Sequence, residues 1–174
     1  MNKQASCFMW AVLLSAVAVI FSGVTMGQTA AEKSGQTPIA KSGVTSFHTK
    51  SLIDEIDVVF HTVRVEKASD LFPSMAWEAN SATLIQNLEI SVHGKTIFVP
   101  RSVFADLIDP RVASIKFQKG DFVLAIAGAD GAESYSVHVY FDTTKVKRRM
   151  VYSSLTPSIV AEDTHYRLTV LKDE

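Results

Sequence analysis

The sequence contains almost no cysteine, and this absence limits its chemistry. Cys7 is the single cysteine among 174 residues, and it lies in an N-terminal segment that we expect to be removed. The remaining chain then forms no internal disulfide and supplies neither a thiol nucleophile nor a thiolate metal ligand. A domain without disulfides depends on its apolar core, and this chain is long enough to build one.

A strong excess of charge of either sign is also absent. The 17 basic residues face 18 acidic ones, for a formal net charge of −1. Because no overall field draws a polyanion to the surface, we expect no nucleic-acid partner. The sequence likewise has no GxSxG nucleophile elbow and no Gly-rich phosphate loop of the Walker or Rossmann type. It therefore predicts no cofactor and does not favour an enzyme.

The N-terminus has the three parts of a secretory signal peptide. MNKQASC carries one lysine, Phe8–Phe21 is almost wholly apolar, and small and polar residues follow. Thr25 and Gly27 have the small side chains that a signal peptidase requires, so we predict cleavage after Gly27. The alternative is an uncut anchor, since Phe8–Val24 reaches the lower limit of about 17 residues for a membrane span.

Two further segments are predicted after the cleavage site. Residues 28–46 are rich in Ser, Thr, Gly, Ala and Lys without an apolar period, which indicates a flexible linker. Residues 47–174 are expected to form the single folded domain. Removal of residues 1–27 leaves no membrane span and no cysteine. Small animal-type secreted domains usually depend on disulfides, whereas bacterial periplasmic domains often form none. The sequence therefore predicts an exported protein, periplasmic or secreted.

Two hairpins stand out in the domain, because alternating apolar runs flank the dipeptides His93-Gly94 and Lys119-Gly120. Pairing outward from each turn gives one uniformly apolar face, so pattern and turn select the same register. The expected pairs are Val92 with Lys95, Ile90 with Ile97 and Leu88 with Val99 in the first hairpin, and Phe117 with Phe122, Ile115 with Leu124 and Ala113 with Ile126 in the second.

The remaining elements follow from the same alternation. They are a strand around 58–65, a loop over 68–84, a short helix within 100–110 that Ser102 caps, strands at 135–141 and 146–154, a loop over 155–164 and a last strand at 166–171. About eight strands with short connections predict an all-β fold, a single antiparallel β-sandwich or barrel with one short helix.

Histidines and carboxylates are the first candidates for chemistry. His61 and His138, in two predicted strands, resemble part of a metal site if they meet across a sheet with an acidic third ligand. Histidines that alternate within strands usually face solvent, however, so we predict no metal. Acids that might pair as general acid and base all lie in predicted turns or helix ends, where acids are common anyway. They are Asp106, Asp109, Asp130, Glu133, Glu162 and Asp163.

The basic cluster KVKRR, residues 145–149, is the one local concentration of charge. In a strand, Lys147 and Arg149 share a face, while Arg148 points the other way with Met150 and Tyr152. One interpretation is an edge strand that its charges protect from aggregation. The other is a docking patch for an acidic protein, a glycan or a phosphorylated group.

A polar and aromatic stripe precedes this cluster. Ser136, His138 and Tyr140 share one face of a predicted strand, opposite an apolar face that includes Tyr135. Such a stripe can bind a sugar or a partner protein, since tyrosine supplies contact area and a hydroxyl at low entropic cost. It is equally typical of an ordinary solvated sheet face.

The segment IAGADGAESYSVHVYFD, residues 126–142, places two acids among two glycines. A calcium loop needs several oxygen ligands at regular spacing, and only Asp130 and Glu133 are available. Gly128 and Gly131 supply the backbone freedom that a tight reversal requires. We therefore predict a turn that joins strands at 123–127 and 135–141.

These observations favour an exported, non-enzymatic β-domain of the inhibitor or immunity-protein type, which binds a protein or a cell-envelope component. The partner-binding residues predicted from the sequence are Ser136, His138, Tyr140, Lys147 and Arg149. One alternative is a small exported hydrolase whose site combines distant carboxylates and histidines. Another is an assembly or structural accessory of the envelope. The oligomeric state stays open.

Overall fold

The computed structural model describes residues 35–50, 53–66, 81–118 and 120–168. Within these residues the protein is all-β, and its strands form two antiparallel sheets of six and four strands. The all-β class and the antiparallel pairing predicted from the sequence are confirmed. The predicted signal peptide and residues 68–80 of the predicted loop over 68–84 lie outside the described residues. Residues 81–84 of that loop belong to the strand Ser81–Val92, so this part of the prediction is wrong.

The four-stranded sheet is a meander in the order β2-β3-β4-β5. Its strands are β2 (Gly43–Lys50), β3 (Glu55–Glu66), β4 (Ser81–Val92) and β5 (Lys95–Ile97). A register shift between His61 and Thr62 interrupts the β3–β4 pair. Alternate residues of β3 are buried from Ile56 to Thr62, as the sequence pattern requires, whereas no residue is buried from Val63 to Glu66.

The six-stranded sheet has the order β1-β6-β7-β8-β9-β10. Its strands are β1 (Thr37–Pro38), β6 (Pro110–Gln118), β7 (Asp121–Gly128), β8 (Tyr135–Phe141), β9 (Val146–Ser153) and β10 (Val160–His165). Strands β6 to β10 form one continuous meander, because each pairs with its successor in the chain. Only β1 joins out of sequence order, beside β6.

The first predicted hairpin is confirmed at its turn. His93 and Gly94 both have positive φ, 52° and 73°, as a two-residue turn of this kind demands. Val92 pairs with Lys95 and Ile90 with Ile97. The predicted pair of Leu88 with Val99 is not formed, because β5 ends at Ile97 and the chain then leaves β4.

The second hairpin has the predicted register along its whole length. Phe117 pairs with Phe122, Ile115 with Leu124 and Ala113 with Ile126. Gly120 has φ 85°, whereas Lys119, the other predicted turn residue, lies outside the described residues. Matching the apolar residues of β6 with those of β7 is therefore enough to set this register.

Three further predictions are wrong. Strand β1 and the first half of β2 lie inside residues 28–46, the expected linker, because short polar residues on an exposed edge leave no apolar period to detect. The last strand among the described residues is β10, which overlaps the predicted loop over 155–164 and is almost wholly exposed. Residues 166–168, the described part of the strand predicted at 166–171, are not in a strand. The expected helix is a single 3-10 turn, Arg101–Val103, to which Ser102 gives no side-chain cap.

Core residues come from both sheets and form one continuous cluster. Phe60 and Ile90 of the four-stranded sheet and Leu124 and Phe141 of the six-stranded sheet are completely buried. Val103, Phe104 and Leu107, from the connection before β6, join the same cluster. Each sheet thus has a core face, which contributes to this cluster, and an outer face.

Candidate functional site

The outer face of β8 and β9 brings the predicted stripe together with three residues of the next strand. Ser136 pairs with Tyr152, His138 with Met150 and Tyr140 with Arg148. We call these six residues the tyrosine face. The sequence predicted each strand's alternation separately, but the register of the two strands, which shifts between Tyr140 and Phe141, unites both tyrosines on one surface.

Ring contacts organise the tyrosine face. The His138 and Tyr152 rings lie 5.0 Å apart between centroids, at 54°. The Arg148 guanidinium carbon lies 5.9 Å from the Tyr140 ring centroid, within the range of a cation–π interaction. Arg148 also donates two hydrogen bonds to the Asp163 carboxylate on β10, of 2.7 and 2.5 Å. Asp163 therefore fixes the Arg148 side chain, while one side of the guanidinium plane faces the Tyr140 ring.

Electrostatics favour the neutral forms of His138 and Tyr152 in this surface. Burial, reinforced by the nearby Lys116 ammonium, lowers the pKa of His138 below its ordinary value of 6.5. Burial, followed by the neighbouring Tyr140, raises the pKa of Tyr152. At neutral pH the imidazole and the phenol are consequently uncharged, and the Arg148 charge is balanced by Asp163.

Small or buried residues of β7 adjoin the tyrosine face. Ala125 pairs with His138, and Val123 pairs with Tyr140. Val123 is 2% exposed and Met150 is 9% exposed, although both lie on the outer face. Their burial leaves the rings, the hydroxyls and Arg148 as the groups of the tyrosine face that a binding partner meets, with the exposed Lys116 of β6 beside them.

The basic cluster does not form the predicted docking patch. Lys147 pairs with Asp121 at 2.5 Å and lies 3.8 Å from Asp142. A register shift in the β8–β9 pair leaves Lys147 opposite no residue of β8, so it does not act as one surface with Arg149. The predicted orientation of Arg148, with Met150 and Tyr152, is what the structure has.

Arg149 is an interior residue rather than a surface base. It is 2% exposed and pairs with Asp106 at 2.5 Å and with Glu162 at 2.6 Å. Among the described residues its Nε has no hydrogen-bond partner. Arg149 therefore joins the connection before β6 to strand β10, and its guanidinium is not available to a partner. No sequence signal marks the bulge that separates Lys147 from the face of Arg149.

The histidine pair considered for a metal is not formed. His61 lies on the four-stranded sheet and His138 on the outer face of the six-stranded sheet. Every histidine except His138 lies beside a carboxylate. The pairs are His48 with Asp57 at 2.9 Å, His61 with Glu89 at 3.4 Å, His93 with Asp54 at 3.2 Å and His165 with Asp163 at 3.4 Å. Across the described ranges, no group of three or more metal-ligating side chains has suitable geometry.

Most of the acids considered for hydrolysis bind groups of the same chain. Asp106 and Glu162 share Arg149, and Asp163 binds Arg148. Asp130 pairs with Arg111, and Asp109 accepts a 2.7 Å hydrogen bond from the Thr83 backbone N–H. The hydrogen bond from Arg149, and to a smaller extent the one from Thr164, lowers the pKa of Glu162. A carboxylate in this state does not hold the proton that a general acid donates.

The acidic loop is the β7–β8 connection, as predicted from its glycines and alanines. It contains a 3-10 turn at Gly131–Glu133. Ala129 and Gly131, rather than Gly128, have positive φ, 55° and 56°. Gly128 is needed for a different reason, because a Cβ there would lie 2.6 Å from the Tyr135 Cζ.

Comparison with known proteins gives no relative for this chain. No protein-family model, no curated protein and no solved structure matches it. The part of the chain that the structure describes also includes no helix long and apolar enough to cross a membrane.

Proposed function

We propose that this protein is an exported, non-enzymatic binding domain of the inhibitor or immunity-protein type, and that its tyrosine face contacts a protein partner in the cell envelope. The single observation that carries this proposal is the union of Tyr140, Tyr152, His138 and Arg148 on one outer face. Their neighbours on β7 are small or buried, so the four large side chains form the accessible surface.

The composition of the tyrosine face suits a protein partner. Tyrosine, methionine and arginine are enriched where protein surfaces bury each other. Two tyrosines supply rigid contact area and two hydroxyls, and restrained side chains lose little entropy on binding. Arg148 is already fixed by Asp163 and Tyr140, which favours binding for the same reason.

The charges favour a partner surface that is not strongly acidic. Lys147, Arg148 and Arg149 each pair with one or two carboxylates of this chain. An acidic partner would compete with those carboxylates for the same cations. We therefore retain Ser136, His138 and Tyr140 from the sequence prediction, add Arg148 and Tyr152, and omit Lys147 and Arg149 from the proposed contact surface.

The remaining parts of the proposal concern compartment and architecture. Residues 1–27 have the pattern of a cleavable signal peptide, which supports export to a periplasm. We also infer that the two sheets stack as a sandwich, a proposal supported by the core cluster to which both contribute. Intact mass of the exported protein tests cleavage, with Gln28 as the expected first residue.

Site-specific crosslinking tests the proposed contact surface. A photoreactive amino acid placed at Tyr140 or Tyr152, in cells of the source organism, should crosslink one and the same envelope protein. Thr96, exposed on β5 of the other sheet, is the matched control and should give no such product. With the purified partner, Tyr140→Ala and Tyr152→Ala should each weaken binding at least tenfold, as expected for interface tyrosines.

Two results would contradict the proposal. The first is the same product from Thr96 as from the two tyrosines, since the contact would then not be specific to the tyrosine face. The second is unchanged affinity of the folded Tyr140→Ala and Tyr152→Ala variants. Circular dichroism and the urea midpoint of each variant establish that the loss of binding is not a loss of folding.

A further inference from the structure

The edges of the two sheets differ in how they are protected against pairing with another chain. Native edge strands are commonly short, bulged, charged or interrupted by proline. β1 has two residues, one of them Pro38, and β5 has three. β10 has a register shift between Val160 and Glu162 and carries two acids, Glu162 and Asp163. These three edges are therefore poor templates for a further strand.

β2 has none of these protections. It is eight residues long, contains no proline, and its one Lys lies at its last position, Lys50. It pairs with β3 without any shift, from Gly43 opposite Thr62 to Lys50 opposite Glu55. Within the described ranges, no backbone hydrogen bond outside the β2–β3 pair involves residues 43–50. Its second edge is a regular row of backbone donors and acceptors.

We propose that the β2 edge pairs with the β2 edge of a second copy of this chain, antiparallel, about a two-fold axis through Ser46. This register sets Ser46 opposite Ser46, Val44 opposite His48 and Thr45 opposite Phe47 of the second copy. Ser46 and Val44 are exposed outer-face residues, whereas Thr45 is buried and Phe47 packs against the core. Outer residues therefore meet outer residues and core residues meet core residues, as a continuous sheet requires.

The sequence of β2 is complementary to itself in this register. No like charges oppose each other, because Lys50 would face Ser42 of the second copy. Moving the axis to Phe47 would set two Phe47 rings directly opposite, although each is already stacked on Phe60 at 6.4 Å between centroids. The axis through Ser46 places the small Thr45 beside each Phe47 instead. A symmetric pair of this kind closes on itself, as most homodimers do.

Sedimentation velocity of the full chain over a range of concentrations tests the dimer. We expect a monomer–dimer equilibrium that Ser46→Lys shifts to monomer, because the two-fold axis would bring two ammonium groups together. Ser46 is exposed, so this variant should keep its fold and its urea midpoint. Thr96→Lys, an exposed change on β5, is the matched control and should dimerise like the unmodified protein.

Cysteine crosslinking tests the register. In a Cys7→Ser background, Ser46→Cys should form a disulfide-linked dimer, since directly opposed residues of antiparallel strands have Cα atoms about 4.5–5.5 Å apart. Val44→Cys should not, because each Val44 faces His48. A chain that stays monomeric at every concentration overturns the proposal, and so does a dimer that resists Ser46→Lys. Binding of a different protein's strand by a monomeric β2 edge would overturn it as well.

This inference is independent of the tyrosine face, which lies on the other sheet. Tyr140→Ala should leave the dimer intact, and Ser46→Lys should leave the Tyr140 and Tyr152 crosslinks intact. Loss of both properties in one folded variant would contradict this independence.

Discussion

Tyr135 lies directly against Gly128, its cross-strand partner in the β7–β8 pair. The Tyr135 hydroxyl donates a 3.0 Å hydrogen bond to the Ile108 carbonyl oxygen. A Cβ at Gly128 would lie 2.6 Å from the Tyr135 Cζ and 2.7 Å from the Asp109 carbonyl oxygen. Gly128 thus leaves space for the Tyr135 side chain. The Tyr135 hydrogen bond to Ile108 then links the end of the β7–β8 loop to the connection before β6.

Gly128→Ala should therefore lower the free energy of unfolding by about 1–3 kcal/mol, the usual cost of overpacking. Urea denaturation monitored by circular dichroism measures this change. Gly131 serves as a control with the opposite constraint, since it has φ 56° but open space around it. Asn should be tolerated better than Ala at Gly131, because Asn accepts positive φ, whereas Asn should be worse than Ala at Gly128. The same order at both sites would refute the steric explanation.

Because Arg149 is buried, we expect loss of the arginine and loss of its two acidic partners to have different effects on stability. Asp106 and Glu162 side chains are 59% and 44% exposed, so they can be hydrated without the arginine. Arg149→Met should cost less than the double change Asp106→Asn with Glu162→Gln, which leaves a buried, uncompensated charge and should cost about 3–5 kcal/mol. Urea midpoints compare the two. Equal losses would show that burial of the guanidinium does not dominate the energetics.

Glu162 should make the fold less stable in acid. Because the Arg149 and Thr164 hydrogen bonds lower its pKa below the ordinary 4.5, it contributes stability that is present above pH 4.5 and lost as the pH falls through its folded-state pKa. Glu162→Gln should flatten the fall of the unfolding free energy below that pH. In an Arg149→Met background the same substitution should change the slope little, and an undiminished effect there would exclude Arg149 as the cause.

His138 should titrate below an ordinary histidine. Burial and then Lys116 lower its pKa, so the unfolded chain binds a proton in a pH range where the folded chain does not. The stability that this difference contributes is present above pH 6.5 and lost as the pH falls towards the folded-state pKa. NMR titration gives the pKa directly. Lys116→Gln should raise it, while Lys95→Gln, on the other sheet, should leave it unchanged.

Much of the fold was predictable because its signals are local. Alternation set the core faces of β6, β7 and β8, and a turn dipeptide with apolar flanks set each hairpin register without reference to distant residues. The edge strands β1, β2 and β10 escaped prediction in part because residues exposed on an edge need not alternate. A strand that buries little leaves little pattern in the sequence.

The candidate site was likewise predictable from the sequence only in part. The sequence by itself determined that Ser136, His138 and Tyr140 share a face, because side chains alternate along any strand. Only the tertiary structure decided what stands beside them, since the β8–β9 register adds Arg148 and Tyr152 and sets Arg149 opposite the buried Val139. Alternation is a property of one strand, whereas a register shift depends on two strands and on the carboxylates, Asp106 and Glu162, that distant segments bring to the buried charge.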